Sequence, residues 1–445
     1  MRRAVLFLWV VAAFADETSE TRIAEARSLL EKLEEPAAFE RAVAIGEALP
    51  LIEATEAGRP ERIRKLACLA LGKIGGEKAR DRLLVMLAAP TPEPREQGGL
   101  RLYAAAGLTI LKDPGTAVDL VNQLSTVNPN DNVAALAGEG VEADYYTVDA
   151  QICDALLAMG IWTAEDELVA QLRRRDKVRV LIDAHAALVR HTGIDLPFRY
   201  NGGLPDREAD ADAWAKRLRE TRAERMRARP FDSSNPRFRA RCQDIIAWLG
   251  GQAVNERYIA EKVLVRLGPV AVPFLCDALR EGVPSLQREA ALVLGRIGDP
   301  AAAPALRQAL GLADGKARAR ALEALRLLGD KDAVEPAVAR LSDPDAEVRA
   351  NAAMLVGQLG DASRRGALAK ALASETAPAT ITQLVIALSR LGDTGQTARL
   401  LDIFVAGEQL DRQAASDELH RLDPGWKADP LAPREERAAA AERGK

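Results

Sequence analysis

Aromatic residues and histidines are scarce in this 445-residue chain. Phe, Trp and Tyr make up 4% of it, and the three histidines are His185, His191 and His420. A core must therefore be built from Leu, Ala, Val and Ile. His185 and His191 lie six residues apart, a spacing that does not place two side chains on one face of a helix. The histidines therefore do not indicate a catalytic or metal site.

The sequence also lacks the short motifs that mark common catalytic and nucleotide sites. No HExxH, CxxC, GxSxG, P-loop or GxGxxG stands in a supporting context. Ser233 and Ser234 lie in a linker with no histidine near them in the sequence. We therefore predict a protein that is not an enzyme, with no catalytic residues, no cofactor and no metal site.

The few cysteines show no spacing typical of a disulfide framework or a metal site. Each of the four lies in a helical pattern, at Cys68, Cys153, Cys242 and Cys276. We predict four buried thiols. Cys242 and Cys276 are the one pair close enough in sequence to lie on adjacent helix pairs. Neighbouring helices pack about 8–10 Å apart, which is long for a bridge.

Long apolar runs are absent except at the N-terminus. Arg2 and Arg3 precede ten apolar residues at 4–13, and Ala13-Phe14-Ala15 has the pattern of a cleavage site. Because ten residues are too few to span a membrane, this pattern predicts a secretory signal peptide over residues 1–15. We expect an exported protein, periplasmic or extracellular, with no transmembrane segment in the mature chain.

A net charge of −4 argues against a dedicated nucleic-acid binder, but the charge is unevenly distributed. Residues 171–241 carry 18 Lys and Arg against 10 Asp and Glu. A helix predicted at 209–229 is the centre of this excess. It is either a solvated helix with internal ion pairs or a dock for an anionic partner or lipid surface. The candidate docking residues are Arg217, Arg219, Arg222 and Arg225.

A phrase that ends in Gly-Asp recurs four times between residues 294 and 393. Its glycines, Gly298, Gly329, Gly360 and Gly392, are spaced 31, 31 and 32 residues apart. A fixed period in this range is typical of a solenoid. In the unit 299–328, two apolar stripes of helical period flank a break at 311–315. The glycine ends the second helix and the aspartate caps the next. The predicted fold is an all-α solenoid of about ten helix pairs, with an irregular insert in the middle.

The segment 343–353, DPDAEVRANAA, resembles HEAT repeats, in particular the short bacterial kind also found in phycobilin lyases. In such repeats a turn aspartate and an arginine six positions later form a ladder between neighbouring units. Asp343 with Arg349, and Asp314 with Arg320, keep that spacing. The resemblance implies an α-solenoid. A lyase-like or accessory enzyme is an alternative that it also suggests.

The predicted domain organisation has two arrays. The first array covers residues 16–193 and has loop insertions near 89–99 and 125–147. An irregular insert at 194–236, with the basic helix and a linker, separates it from the second array at 237–422. A flexible tail follows at 423–445. Tyr145 and Tyr146, in the second insertion, are candidate contact anchors for a partner.

Cations recur two residues before the repeat glycines. Lys73, Arg266, Arg296 and Arg390 occupy this place, with Gln358 as a neutral member. They either provide favourable charge at helix C-termini or form a basic strip on the concave side. The latter hypothesis adds Arg266, Arg296 and Arg390 to the candidate partner-binding residues.

The function predicted from these patterns is a protein–protein interaction scaffold of the bacterial envelope or extracellular space, whose partner the sequence does not identify. A peripheral envelope-surface protein that uses the basic middle segment is a further alternative.

Overall fold

The computed structural model describes residues 19–89, 97–126, 147–174 and 178–444. Within these ranges the regular structure is helical, without a β-strand. The helices are α1 (Ser19–Leu29), α2 (Pro36–Ile45), α3 (Ala48–Ala54), α4 (Glu61–Ile74), α5 (Gly76–Ala88), α6 (Gln97–Leu111), α7 (Ala117–Thr126), α8 (Val148–Met159), α9 (Ala164–Leu172), α10 (Val178–Thr192), α11 (Leu204–Ala228), α12 (Pro236–Gly250), α13 (Val254–Leu267), α14 (Val272–Glu281), α15 (Pro284–Ile297), α16 (Ala303–Ala309), α17 (Gly315–Leu328), α18 (Val334–Arg340), α19 (Ala346–Leu359), α20 (Arg365–Ser374), α21 (Pro378–Arg390), α22 (Thr397–Ala406), α23 (Gln409–Leu422) and α24 (Arg434–Arg443).

Several predictions concern residues outside the described ranges. They are the signal peptide at 1–15, most of the insertions near 89–99 and 125–147, and the pair Tyr145 and Tyr146. Among the helices that are described, none combines the length and the apolarity needed to cross a membrane.

The chain divides into two compact units, Met1–Cys242 and Gln243–Lys445. The division falls inside α12, shortly after the linker at 230–236 where the sequence suggests a boundary. Each unit is a stack of helix pairs, in line with the predicted all-α solenoid.

In the first unit, the second helices of successive pairs, α4, α6 and α8, pack side by side. Small residues allow the close approach of α4 and α6. A Cβ atom at Gly72 would lie 2.4 Å from the carbonyl oxygen of Gly107. The two backbones therefore touch where any larger residue would separate the helices.

In the second unit, α15, α17, α19 and α21 form the corresponding row. Gly298, Gly329 and Gly392 have left-handed backbones, with φ of 73°, 69° and 87°. This conformation ends the preceding helix and favours glycine. Gly360 differs from the other repeat glycines because its φ of −79° and ψ of −177° are extended.

The aspartates after these glycines mostly act as predicted. The side chains of Asp299, Asp361 and Asp393 each accept a hydrogen bond from the backbone N–H two residues later. Asp330 makes no such cap. Its carboxylate instead accepts a 2.5 Å hydrogen bond from Arg307, so it joins two helix pairs rather than starting a helix.

The arginine ladder connects neighbouring helix pairs of the second unit. Arg318 of α17 donates two hydrogen bonds, of 2.9 and 2.6 Å, to the carboxylate of Asp343 in the following turn. Arg349 of α19 in turn binds Glu375 at 2.7 and 2.8 Å. Asp343 and Arg349 therefore both belong to a ladder between neighbouring units, as the resemblance implied. Within its own unit, Arg349 donates to the backbone carbonyls of Asp343 and Pro344.

Of the second predicted pair of ladder residues, Asp314 lies 3.6 Å from Arg288 of the preceding helix pair, but Arg318 rather than Arg320 is the ladder arginine of its unit. Asp314 caps α17 by accepting a hydrogen bond from the N–H of Ala317. Asp345 has the same capping position in the next helix pair. Arg320 pairs with Glu323 at 2.7 Å on the same helix. The six-residue spacing was correct for Arg349, but Asp314 lies two positions out of register with Asp343.

The segment 423–445 is predicted to be a flexible tail, and in the structure its described part, residues 423–444, packs against the second unit. The ring of Trp426 packs edge-on against Phe404, with centroids 5.1 Å apart. Arg437 of α24 is buried and donates to the carbonyl oxygens of Phe404 and Val405. Ala441 completes the contact in the same core. Composition suggested a frayed end, but a few apolar atoms and one arginine suffice to hold it against α22 and α23.

The cysteines are free thiols. Cys68, Cys153 and Cys242 are buried and Cys276 is half-buried. Burial raises the pKa of the Cys68 and Cys242 thiols to about 12, so these groups stay protonated.

Candidate interaction surface

Helix α11 carries the basic segment and begins five residues earlier than predicted. Pro205 in its first turn has the fixed φ that suits a helix start. Ala211, Trp214 and Leu218 are its buried residues, at positions i, i+3 and i+7. These three side chains form one narrow apolar stripe, so most of the circumference of α11 is polar.

The charge of α11 is ordered along its axis. Its first half carries four acidic residues, Asp206, Glu208, Asp210 and Asp212, whereas residues 216–229 carry seven cations and two acids. Acids near the N-terminus and cations near the C-terminus both interact favourably with the helix dipole. This explains part of the local charge excess without a partner.

Two of the predicted docking residues hold α11 against the first unit. Glu165, in the first turn of α9, is fully buried and accepts hydrogen bonds from Arg225 at 2.9 and 2.8 Å. Arg222 contacts the same carboxylate at 3.3 Å and Asp166 at 2.6 Å. Burial raises the pKa of the Glu165 carboxyl, and the two guanidinium groups oppose that rise. Arg222 and Arg225 are therefore engaged within the chain.

The end of α11 is fixed by a tryptophan. The guanidinium carbon of Arg229 lies 4.6 Å from the ring centroid of Trp162, and that of Arg225 lies 5.3 Å away. The indole N–H of Trp162 donates to the carbonyl oxygen of Arg229 at 3.2 Å. The guanidinium of Arg229 donates to the carbonyl oxygen of His191.

A histidine organises the loop that leads into α11. The two ring nitrogens of His185 contact the hydroxyl of Tyr200 at 2.5 Å and the carbonyl oxygen of Leu196 at 2.9 Å. A carbonyl only accepts, so the ring nitrogen beside Leu196 donates, and in a neutral imidazole the other nitrogen accepts from Tyr200. The ring of His185 also meets Trp214 edge-on, with centroids 5.4 Å apart. The loop 193–203 is therefore tied both to α10 and to α11.

The outer side of α11 carries cations that do not anchor the helix to its neighbours. Lys216, Arg219 and Arg227 are exposed and, within the part of the chain that the structure describes, have no ion pair or hydrogen bond from their side chains. They lie at positions i, i+3 and i+11, on one side of the helix, with Ala223 between them. We call these three residues the cationic face. It extends about 16 Å along the helix axis.

Arg217 and Arg219 thus have different settings although both were predicted to dock a partner. The guanidinium of Arg217 lies 3.8 Å from the carboxylate of Glu220, on the neighbouring side of α11. Arg219 belongs to the cationic face. Lys216 and Arg227 were not among the predicted residues, although their spacing from Arg219 indicates a shared side of the helix.

The cations two residues before the repeat glycines make contacts between helix pairs. Lys73 pairs with Glu40 at 2.8 Å, Arg390 with Glu418 at 3.2 Å, and Arg296 with Glu261. Arg266 has an interaction partner as well. Gln358, the neutral member, accepts from Arg326 at 2.9 Å. These contacts link successive second helices and leave no unpaired basic strip among the described members.

Within the described ranges, no group of three or more His, Cys, Asp or Glu side chains could hold a metal ion.

The family model of HEAT repeats matches four overlapping stretches, residues 233–326, 272–343, 308–389 and 334–419. Residues 233–419 are HEAT repeats. The Gly-Asp steps and the arginine ladder of the second unit are thus features of its HEAT array. A search of curated proteins gives no match.

Several solved structures are similar to the chain. The CpcE–CpcF complex of phycocyanin lyase from Nostoc sp. PCC7120 is 20% identical, with 46% of this chain and 86% of that chain covered and a TM-score of 0.35. Kap121p bound to Pho4p is 9% identical, with coverages of 97% and 50% and a TM-score of 0.34. Importin beta is 16% identical, with coverages of 88% and 60% and a TM-score of 0.30. The chain thus spans about half the length of Kap121p. These likenesses carry no functional argument for this chain, since all three TM-scores are below 0.5.

Proposed function

We propose that this chain is a non-enzymatic protein-binding scaffold and that the cationic face of α11 docks an acidic segment of its partner. The observation that carries the proposal is the set of three exposed cations on one side of the longest described helix, Lys216, Arg219 and Arg227, which have no partner among the described residues. Stacked helix pairs offer extended surfaces for partner binding.

The way in which α11 is held supports this assignment. Arg222, Arg225 and Arg229 anchor the helix from the inner side through Glu165 and Trp162. The outer cations are therefore presented on a rigid element, and little ordering is needed when a partner binds. A complementary acidic segment would speed association, and added salt would weaken that effect.

We further propose that the protein acts outside the cytoplasm, as the pattern of residues 1–15 suggests. Cell fractionation, followed by N-terminal sequencing of the protein, tests this point. We expect the protein in the exported fraction with Asp16 as its first residue. A cytoplasmic protein that begins at Met1 would contradict export without affecting the docking proposal.

The docking experiment compares three immobilised baits that begin at Asp16. The first is the parent. The second neutralises the cationic face with Lys216→Gln, Arg219→Gln and Arg227→Gln. The third is a matched control with Lys78→Gln, Lys316→Gln and Lys370→Gln, which removes three exposed cations elsewhere. Each bait is exposed to envelope extract at low and high salt, and the retained proteins are identified.

We expect a partner that the parent and the control retain, that the neutralised bait loses, and that high salt releases. Equal retention by all three baits would overturn the assignment to α11. Binding to anionic liposomes that also depends on the cationic face, without a retained protein, would favour the envelope-surface alternative. No observation on the described residues favours the lyase-like alternative.

A further inference from the structure

A small cavity in the first unit is lined by three arginines and by no described acid. It has a volume of about 240 Å³ and lies where the turn before α4 meets α5 and α6. The lining residues are Thr55, Ala57, Arg64, Arg82, Val85, Met86, Ala89, Leu100 and Arg101. Three positive charges are thus gathered around one space whose other lining residues, apart from Thr55, are apolar.

A single buried threonine orients two of these arginines. The Nε–H of Arg64 donates to the carbonyl oxygen of Thr55 at 3.1 Å. The Nε–H of Arg82 donates to the Oγ1 atom of the same residue at 2.7 Å. That hydroxyl in turn donates to the carbonyl oxygen of Ile52, which fixes its orientation. Arg64 and Arg82 are therefore held by their Nε atoms, and among the described residues their terminal nitrogen atoms have no hydrogen bond or ion pair.

The HEAT array shows what arginines in this position bind. Arg318 and Arg349 are each the fourth residue of a second helix, α17 and α19, and each binds a carboxylate through two nitrogen atoms. Arg64 is likewise the fourth residue of α4. Among the described residues no carboxylate reaches it. Arg64 thus has the place of a ladder arginine without the acid that completes a rung.

We propose that this cavity binds an organic oxyanion, a carboxylate or a phosphate, with a short apolar body. Arg64 and Arg82 would hold the anionic group, since a guanidinium matches the geometry of both anions. Val85, Met86 and Leu100 would contact the apolar body. Arg101 has contacts of its own and is not needed for the assignment. This proposal is independent of the docking function assigned to α11.

Titration calorimetry on the full mature chain tests the proposal. The ligands are hexanoate, hexyl phosphate, inorganic phosphate and, as the matched cation, hexylammonium. The variants are Arg64→Gln, Arg82→Gln and Val85→Glu. Val85 is 59% exposed, so a glutamate there brings a competing charge to the cavity without disturbing the core. The control is Arg62→Gln, which removes an arginine of the same helix that pairs with Glu34 outside the cavity.

We expect the parent and the Arg62→Gln control to bind hexanoate, hexyl phosphate or both, and not hexylammonium. Each of the three cavity variants should weaken that binding at least about tenfold, because charge-assisted hydrogen bonds are lost or opposed. Binding of only one of the two anions identifies the headgroup. If the parent binds none of the anions at 10 mM, a concentration well above a dissociation constant of about 1 mM, the proposal is overturned. It is also overturned if Arg62→Gln weakens binding as much as the cavity variants do. Equal affinity for inorganic phosphate and hexyl phosphate would show that the apolar wall of the cavity does not contribute to binding.

Discussion

At the scale of single residues, the first unit depends on one buried carboxylate. Glu165 is fully enclosed, and Arg222 and Arg225 both aim at it from α11. A buried ion pair adds little net stability compared with a well-packed apolar contact, but its loss is costly when one partner remains. The helix that carries the cationic face is therefore held by an interaction that does not tolerate partial removal.

The variant Glu165→Gln tests this dependence. It keeps the shape of the side chain and leaves two guanidinium groups beside a neutral amide. We expect a loss of about 3 kcal/mol in the free energy of unfolding of the first unit, measured by urea denaturation. The control is Asp166→Asn, which removes the exposed second partner of Arg222 and should cost less than about 1 kcal/mol. Equal losses for the two variants would contradict the role given to Glu165.

The sequence predicted the residues of this region but not their partners. An arginine-rich helix was evident between 209 and 229, yet Glu165 is about 60 residues away in the chain. The number of arginines alone does not distinguish Arg225, which points inward, from Arg219, which is exposed. The pattern of Ala211, Trp214 and Leu218 does define the inner side of the helix. Extending that pattern toward the C-terminus would have assigned Arg222 and Arg225 to it.

At the scale of helices, the distance between neighbouring second helices is set by small residues. Gly357 of α19 faces Ala387 of α21 so closely that an added Cβ atom would lie 2.6 Å from the Cα of Ala387. The HEAT row therefore depends on glycine for packing at this position rather than for a special backbone angle.

A pair of alanine substitutions separates packing from helix propensity. We expect Gly357→Ala to lower the free energy of unfolding of the second unit by roughly 1–3 kcal/mol, because α19 and α21 must move apart. The control, Gly366→Ala in α20, adds a Cβ atom that meets nothing within 4 Å. It should be neutral or raise stability by up to about 1 kcal/mol, since alanine favours helix. Urea denaturation monitored by circular dichroism measures both variants. A neutral Gly357→Ala would refute the close-packing argument.

Repetition explains why the helices were easier to predict than the contacts between them. Four Gly-Asp steps at a nearly constant spacing established the period and the helix ends. Predicting the ladder required the repeats to be aligned with one another to better than two residues. Asp314 was aligned with Asp343, but it corresponds to the capping residue Asp345. The turn at 343–345 contains two aspartates, of which Asp345 caps α19 and Asp343 binds Arg318. Their spacing alone does not show which aspartate has which role.

At the scale of the whole molecule, the last described segment completes the second unit. Trp426 and α24 cover apolar residues of α22 and α23, with Phe404 and Leu401 in the shared core. Composition could not predict this, because a proline-containing, alanine-rich segment with many charges is also typical of a flexible end. The segment is held by a few contacts, among them the hydrogen bonds of Arg437 to backbone carbonyls that lie 32 and 33 residues earlier in the chain.

Removal of one anchor tests how firmly this segment is held. We expect Trp426→Ala to lower the free energy of unfolding of the second unit by about 2 kcal/mol or more, because it opens the core around Phe404. It should also make the bond after Arg434 accessible to trypsin. The control, Leu431→Gln, changes a residue of the same segment that is 63% exposed and should have little effect. A protease-sensitive segment in the parent protein would contradict the packing.

The cover formed by α24 also bears on self-association. A stack of similar helix pairs is open at its end, and an open apolar end can accept a pair from another molecule and so begin a head-to-tail filament. The helix α24 does not follow the repeat, and its exposed side carries charged residues such as Glu435 and Glu436. At this end of the described array, α24 therefore places charged side chains over apolar residues that would otherwise be open to another molecule.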